Sequence, residues 1–217
     1  MWKRCGIYVK GRIGCSPEEL YIERGSKAMF KREEIVAVFN KDELQNGLKK
    51  YVEIMEYLHK TDVSEDREFQ KMYNHFYRMR QRKPEFYQMY YDYMEKMKNN
   101  AAALTFEDVF SYIQKETNRC EASFSSKLLA TLNPDKPIWD MFVLENLGVK
   151  KIQSSAKNRE RKIIEAYQQI EQWYIDFFGS EEASLILQIF DEMFPNVKIT
   201  DTKKVDLFLW KHFIKNL

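Results

Sequence analysis

The chain has 217 residues, of which 44% are hydrophobic and 15% aromatic, so it can bury the core of one large domain or of two small lobes. Lysine and arginine total 35 against 33 for aspartate and glutamate, and net charge alone therefore predicts no polyanion partner. Any basic surface must be local. With only 7 glycines and 5 prolines, the composition favours a compact, largely helical protein.

The cysteines and the apolar runs indicate the cellular compartment of the protein and whether it enters a membrane. Cys5, Cys15 and Cys120 are scattered without metal-type spacing, and an odd number of cysteines favours free thiols in a reducing compartment. No apolar run approaches the roughly 18 residues that a membrane helix needs, and the first residues lack an apolar signal core. We expect a cytoplasmic protein that does not enter a membrane and acts as a monomer.

The first third of the chain changes from an irregular segment to periodic helices. Residues 1–40 are the least regular, because glycines punctuate residues 6–14 as in a small hairpin and residues 35–39 resemble a short strand or a buried turn. Asp42 caps a predicted helix whose apolar positions recur every three or four residues. Two further periodic segments, before and after Pro84, predict helices over residues 65–82 and 85–98.

The middle of the chain has clear helix starts and stops. Thr105 followed by Asp108 predicts a capped helix that ends near Asn118. A short apolar helix then starts at the serines of residues 123–126 and carries Lys127 in its first turn, before Asn133-Pro134 ends it. Asp140 is a good N-cap for residues 141–147, which Gly148 closes.

The sequence pattern of the last third of the chain predicts three helices. A basic segment, residues 150–162, opens a long helix that ends at Gly179, and Ser180 begins another that Pro195 stops. A final helix begins near Thr200. The pattern predicts an all-α protein forming a single unit, residues 1–217. We divide it into an irregular or β-containing segment (1–40), a helical lobe (42–118), a hairpin-like helix pair (119–148) and C-terminal helices (149–217).

Several common catalytic patterns are missing from the sequence. There is no phosphate-cradling glycine loop and no dinucleotide fingerprint. His59, His75 and His212 are far apart, and no serine stands in a nucleophile elbow. We therefore expect neither a metal nor another cofactor.

Lys127 and Asp140 are the one pair that suggests chemistry. They lie 13 positions apart, each at the predicted start of a short helix, and the tight connection can bring both onto one side of the fold. The alternative is that Asp140 is only a helix cap and Lys127 only a surface lysine, since both are common roles for these residue types. Spacing alone leaves both interpretations open.

These residues also carry a family resemblance. The segment SSKLLATL resembles the second hairpin helix of the helix-hairpin-helix DNA glycosylases, and KPIWDMFVLENLG resembles their catalytic-aspartate segment. The resemblance is closest to small oxoguanine-glycosylase-like bacterial proteins and implies a two-lobed helical bundle. Here residues 121–124 replace the usual glycine-rich turn, and the interval from lysine to aspartate is several residues shorter than usual.

The resemblance implies a base-excising enzyme with a defined site. Asp140 would stabilise the positive charge that builds on the sugar or activate the attacking water. Lys127 would attack the sugar carbon and form a Schiff base, or it would stay protonated and contact phosphate. The flipped base would enter a pocket, for which the candidates are Trp139, Phe142, Asp206, Phe208 and Trp210. Each of these side chains also suits an ordinary core or surface role.

The partner implied is double-stranded DNA carrying a flipped modified base. The candidate DNA contacts are Ser123, Ser125 and Ser126 at a helix start, and Lys150, Lys151, Lys157 and Arg159 in the basic segment. A second basic group, Arg78, Arg80, Arg82 and Lys83, is less favoured because the first directly follows the Asp140 helix. An oxidised, an alkylated and a foreign modified base all remain open. The alternative function is a non-catalytic helical module that binds DNA or another protein.

Overall fold

The part of the chain that the structure describes is all-α. The computed structural model describes residues 30–79, 82–139, 144 and 152–212. Helix accounts for 73% of these described residues, and no strand occurs among them, which confirms the predicted class. The helices are α1 (Arg32–Phe39), α2 (Asp42–Leu58), α3 (Arg67–Phe76), α4 (Pro84–Met97), a 3₁₀ helix (Lys98–Ala103), α5 (Phe106–Thr117), α6 (Ala122–Leu132), α7 (Arg159–Phe178), α8 (Glu181–Met193) and α9 (Asp201–His212).

Side-chain caps fix several of the helix starts. Thr105 and Asp108 form the predicted capping box of α5, in which the Asp108 amide donates to Thr105 Oγ1 at 3.2 Å and the Thr105 amide donates to Asp108 Oδ2 at 2.9 Å. Asp66 accepts two backbone amides at the start of α3, and Ser180 accepts one at the start of α8. These bonds satisfy N–H groups that the first turn of a helix leaves without a partner.

Residues 35–39 correct the sequence interpretation, because they lie in α1 and form neither a strand nor a turn. The β-branched composition suggested a strand, but Ile35, Val38 and Phe39 are buried at the three- and four-residue spacing of a helix face. Glu34 accepts the backbone amide of Lys31 at 3.0 Å and secures the helix start. The proposed hairpin at residues 6–14 lies outside the described residues, as does the helix start at Asp140.

The end of α3 also differs from the prediction. The helix stops at Phe76 instead of continuing to residue 82, and Pro84 is the first residue of α4. The chain leaves α3 through Arg78, whose φ of 52° is left-handed. Such a residue ends an α-helix because it turns the following peptide away from the helix axis.

A buried network of hydroxyl groups joins α3, α4 and α6. The hydroxyls of Tyr73 and Tyr90 lie 3.0 Å apart, and Tyr90 donates to the carbonyl of Phe124 at 2.9 Å. Thr131 of α6 reaches the Tyr77 hydroxyl at 3.2 Å. Because buried polar groups are costly unless they are hydrogen-bonded, this network fixes how α6 sits against the end of α3.

Candidate functional site

A cleft of about 470 Å³ lies among α2, the end of α3, α6 and α9. Its volume falls within the range of about 300–1,000 Å³ typical of small-molecule sites. The lining residues are Glu43, Asn46, Gly47, Lys50, His75, Phe76, Tyr77, Arg78, Lys127, Ile138, Lys203, Asp206, Leu207, Leu209 and Trp210. The exposed members on α2 and α3 are mostly polar, whereas α9 contributes buried and half-buried side chains.

Lys127 reaches this cleft from α6. The helix begins at Ala122, so Lys127 is in its second turn and not, as the sequence suggested, in its first. The half-buried ammonium donates a hydrogen bond to the backbone carbonyl of Tyr77 at 2.9 Å and lies 5.4 Å from the centre of the Phe124 ring. The carbonyl that ends α3 therefore orients the lysine.

One face of α9 supplies three side chains to the cleft. Lys203, Asp206 and Trp210 follow one another at intervals of three and four residues, and side chains at these intervals share a helix face. All three line the cleft with Lys127. The structure thus brings together Lys127, Asp206 and Trp210, which the sequence analysis selected separately.

Lys203 is the most deeply buried cation of the cleft, with only 6% of the residue exposed. Its Nζ lies 4.6 Å from the centre of the Tyr51 ring and 4.0 Å from Asp206 Oδ2. Burial lowers the pKa of Lys203 below its usual range, because desolvation disfavours the ammonium, and the nearby Asp206 carboxylate opposes that effect only in part.

Asp206 is held from two sides. Tyr174 of α7 donates its hydroxyl to one carboxylate oxygen, and Lys203 approaches the other. The side chain of Asp206 is 10% exposed, and it lines the cleft. A carboxylate restrained in this way is an acceptor in a defined position for an N–H group of a ligand.

Trp210 packs against α2 through Gly47. A β-carbon at Gly47 would stand 3.3 Å from Cζ3 of the indole, closer than ordinary van der Waals contact. The absent side chain therefore lets the indole approach the helix backbone. Lys211 places its Nζ 4.2 Å from the centre of the indole ring, a cation–π contact that further restrains Trp210.

Two predicted pocket aromatics do not line the cleft. Phe208 is fully buried and packs with Phe30, Phe39 and His212, so it belongs to the core. The reason is its position two residues after Asp206, which points it to the other side of α9. Trp139 is half-buried and stacks parallel to Phe106 with ring centres 6.3 Å apart.

The side chains of the α6 serines are largely buried. Ser125 and Ser126 are fully buried, so their side chains are not on a surface that DNA can reach, and Ser123 is half-buried. Ser126 instead accepts a hydrogen bond from the backbone amide of Trp139 at 2.9 Å. This bond ties the residue before Asp140 to the residue before Lys127.

The remaining predicted residues are not part of the described cleft. Asp140, Phe142, Lys150 and Lys151 lie outside the described residues. Lys157 is exposed and Arg159 begins α7, and neither of them lines the cleft.

Sequence reasoning missed Lys203, the Tyr77 carbonyl and Gly47. The interval of three residues between Lys203 and Asp206 was a signal that could have found the lysine, because it predicts a shared helix face. No sequence signal distinguishes one backbone carbonyl or one helical glycine from another.

Comparison with known proteins adds no family to this geometry. No protein-family model, no curated protein and no solved structure matches the chain. Within the described part of the chain, no helix has both the length and the apolar character needed to cross a membrane. Among the same residues, no group of three or more histidine, cysteine, aspartate or glutamate side chains is arranged to hold a metal ion.

Proposed function

We propose that this protein is a DNA glycosylase that excises a damaged or modified base from double-stranded DNA. The observation that carries the proposal is the meeting of Lys127, Asp206 and Trp210 in one cleft. An amine, a restrained carboxylate and an indole are the groups needed to attack a sugar, read a base edge and contact a base face.

The charges of the cleft support a polyanionic ligand. The cationic side chains in its lining are Lys50, Arg78, Lys127 and Lys203, against the carboxylates of Glu43 and Asp206. A surplus of positive charge in a concave site raises the local concentration of an anion such as the DNA backbone. The near-neutral total charge of the chain therefore does not argue against DNA.

The proposed chemistry divides between Asp140 and Lys127. Breaking the bond between base and sugar builds positive charge on the sugar, which a carboxylate at Asp140 stabilises or relieves by activating water. Lys127 either attacks C1′ of the sugar and displaces the base, after which opening of the sugar ring at its oxygen leaves an imine, or it contacts phosphate while water attacks. The hydrogen bond between Trp139 and Ser126 supports a shared site, because it joins the chain immediately before each of the two residues.

A panel of modified duplexes tests the proposal. Duplexes carrying oxidised, alkylated and foreign modified bases are incubated with the protein and assayed for abasic sites. We expect base release from at least one class and none from an unmodified duplex of the same sequence. DNA binding without release from any of them would favour the alternative, a non-catalytic DNA-binding module.

A further inference from the structure

Arg78 stands in a backbone conformation that favours glycine. Its φ is 52°, and its amide and that of Met79 donate to the carbonyls of His75 and Asn74 at 3.3 and 2.9 Å. This pair of bonds is the Schellman motif that closes α3, and its left-handed position is usually occupied by glycine, sometimes by asparagine.

The other left-handed positions fit this preference for glycine or asparagine. Among the described residues, the only other non-glycine residues with positive φ are Asn118 and Asn158, at 55° and 54°. Asparagine tolerates this conformation, whereas a long side chain such as arginine is strained in it. Backbone geometry alone therefore favours glycine or asparagine at position 78. The presence of an arginine there points to a role for its side chain.

The Arg78 side chain is placed to meet a ligand. It is exposed and lines the cleft, and within the described part of the chain its guanidinium has no ion pair or hydrogen bond. Arg82, four residues later, already has partners within the protein. It pairs with Glu121 at 3.0 Å and lies 4.7 Å from the centre of the Phe124 ring. The structure thus separates two arginines that the sequence presents as one basic group.

We propose that the Arg78 guanidinium binds a backbone phosphate of DNA at the mouth of the cleft. The guanidinium fork matches two phosphate oxygens, which makes arginine well suited to this contact. The preceding carbonyl, that of Tyr77, holds Lys127 at 2.9 Å. Arg78 therefore fixes the DNA strand at the same turn that orients the proposed catalytic amine. This inference rests on the proposed function, since it requires DNA as the ligand.

The test uses Arg78→Gly, which removes the cation but suits the left-handed backbone. Binding of the full chain to an unmodified duplex is measured by fluorescence anisotropy over a range of salt concentrations. We expect a melting temperature equal to or above that of the wild type, an affinity lower by about tenfold, and a log–log salt slope smaller by about 0.9. Arg78→Lys should retain most of the salt slope because it keeps the charge.

Asn118→Gly is the matched control, because it makes the same backbone change at the end of α5, away from the cleft lining. It should leave both affinity and slope unchanged. Wild-type affinity and slope in Arg78→Gly would overturn the role of Arg78 and leave the glycosylase proposal standing. A lower melting temperature in Arg78→Gly would show that the arginine is there to stabilise the fold and not to bind DNA. A wild-type protein that shows no salt-dependent binding to the duplex would overturn both proposals.

Discussion

Lys127 is the residue whose proposed chemistry has the most specific signature. If its amine attacks the sugar, the reaction passes through an imine, which borohydride reduces to a stable covalent link between protein and DNA. We expect this adduct with wild-type protein on a substrate duplex and its loss in Lys127→Gln, with some base release retained through water attack. Gel electrophoresis of the borohydride-treated mixture detects the adduct.

Lys115→Gln is the control for the trapping experiment, because Lys115 is an exposed lysine of α5 that does not line the cleft. It should form the adduct at the wild-type level. An adduct that persists in Lys127→Gln would identify another amine as the nucleophile, and Lys203 would be the first to examine, because burial lowers its pKa and raises its neutral fraction.

The burial of Lys203 predicts that the stability of the protein depends on pH. Its pKa is lowered in the folded state by burial, so between that lowered value and the ordinary value near 10.5 the unfolded chain binds more protons than the folded one. The free energy of unfolding must then rise with pH in that window. Lys203→Met removes this contribution, and we expect the wild type to gain stability relative to the variant as the pH rises through this window towards about pH 9.5.

Urea denaturation at several pH values measures this difference. The range ends below pH 10 because burial raises the pKa of Tyr51 and Tyr77, and such tyrosines make stability fall once their unfolded counterparts ionise. For Lys96→Met, at an exposed site of α4, the difference in unfolding free energy from wild type should not change with pH. A difference that is equally independent of pH in Lys203→Met would contradict the assignment of the pH dependence to Lys203.

The α5 helix shows how local signals set the boundaries of an element. Thr105→Ala removes the side-chain oxygen that accepts the Asp108 amide, and we expect the free energy of unfolding to fall by about 1 kcal/mol, the usual cost of losing an N-cap. Ser111→Ala, at an exposed position within the same helix, should change stability by less than about 0.5 kcal/mol. Urea denaturation measures both values, and equal effects would mean that the capping box contributes nothing.

Helix existence was predictable from the sequence, because it depends on neighbours three and four residues away. The periodic face of α2 and the capping residues of α5 and α8 are signals of this kind. One failure occurred where two local interpretations compete. Residues 35–39, three of which are β-branched, resembled a strand. Their buried positions also fit a helix, and only packing against the core decides between these structures.

The cleft was less predictable, because its members are distant in the chain. Lys127 and Asp206 were selected from the sequence, but their proximity depends on how α6 and α9 pack. The sequence could not assign Phe208 to the core instead of the pocket, since both roles suit an aromatic residue on an amphipathic helix. The Tyr77 carbonyl has no side-chain signature at all, although it holds the proposed catalytic lysine.

The whole molecule combines a near-neutral total charge with a locally cationic cleft. The formal net charge is +2, yet four cations and two carboxylates line this one site. The local surplus of positive charge therefore depends on the fold, which gathers charges from α2, α3, α6 and α9. A glycosylase requires a cationic cleft and a catalytic carboxylate, whereas a DNA-binding module requires only the cationic cleft.

Base release by Asp140→Asn distinguishes a glycosylase from a non-catalytic DNA-binding module. Asparagine caps a helix about as well as aspartate, but it lacks the negative charge that a developing sugar cation requires. On the modified duplex that the wild type processes, we predict an unchanged melting temperature, unchanged DNA affinity and a loss of at least about a hundredfold in the single-turnover rate of base release. Asp135→Asn, at an exposed position that does not line the cleft, should release the base at the wild-type rate. Wild-type base release by Asp140→Asn would rule out the proposed mechanism and leave Asp140 without a catalytic role.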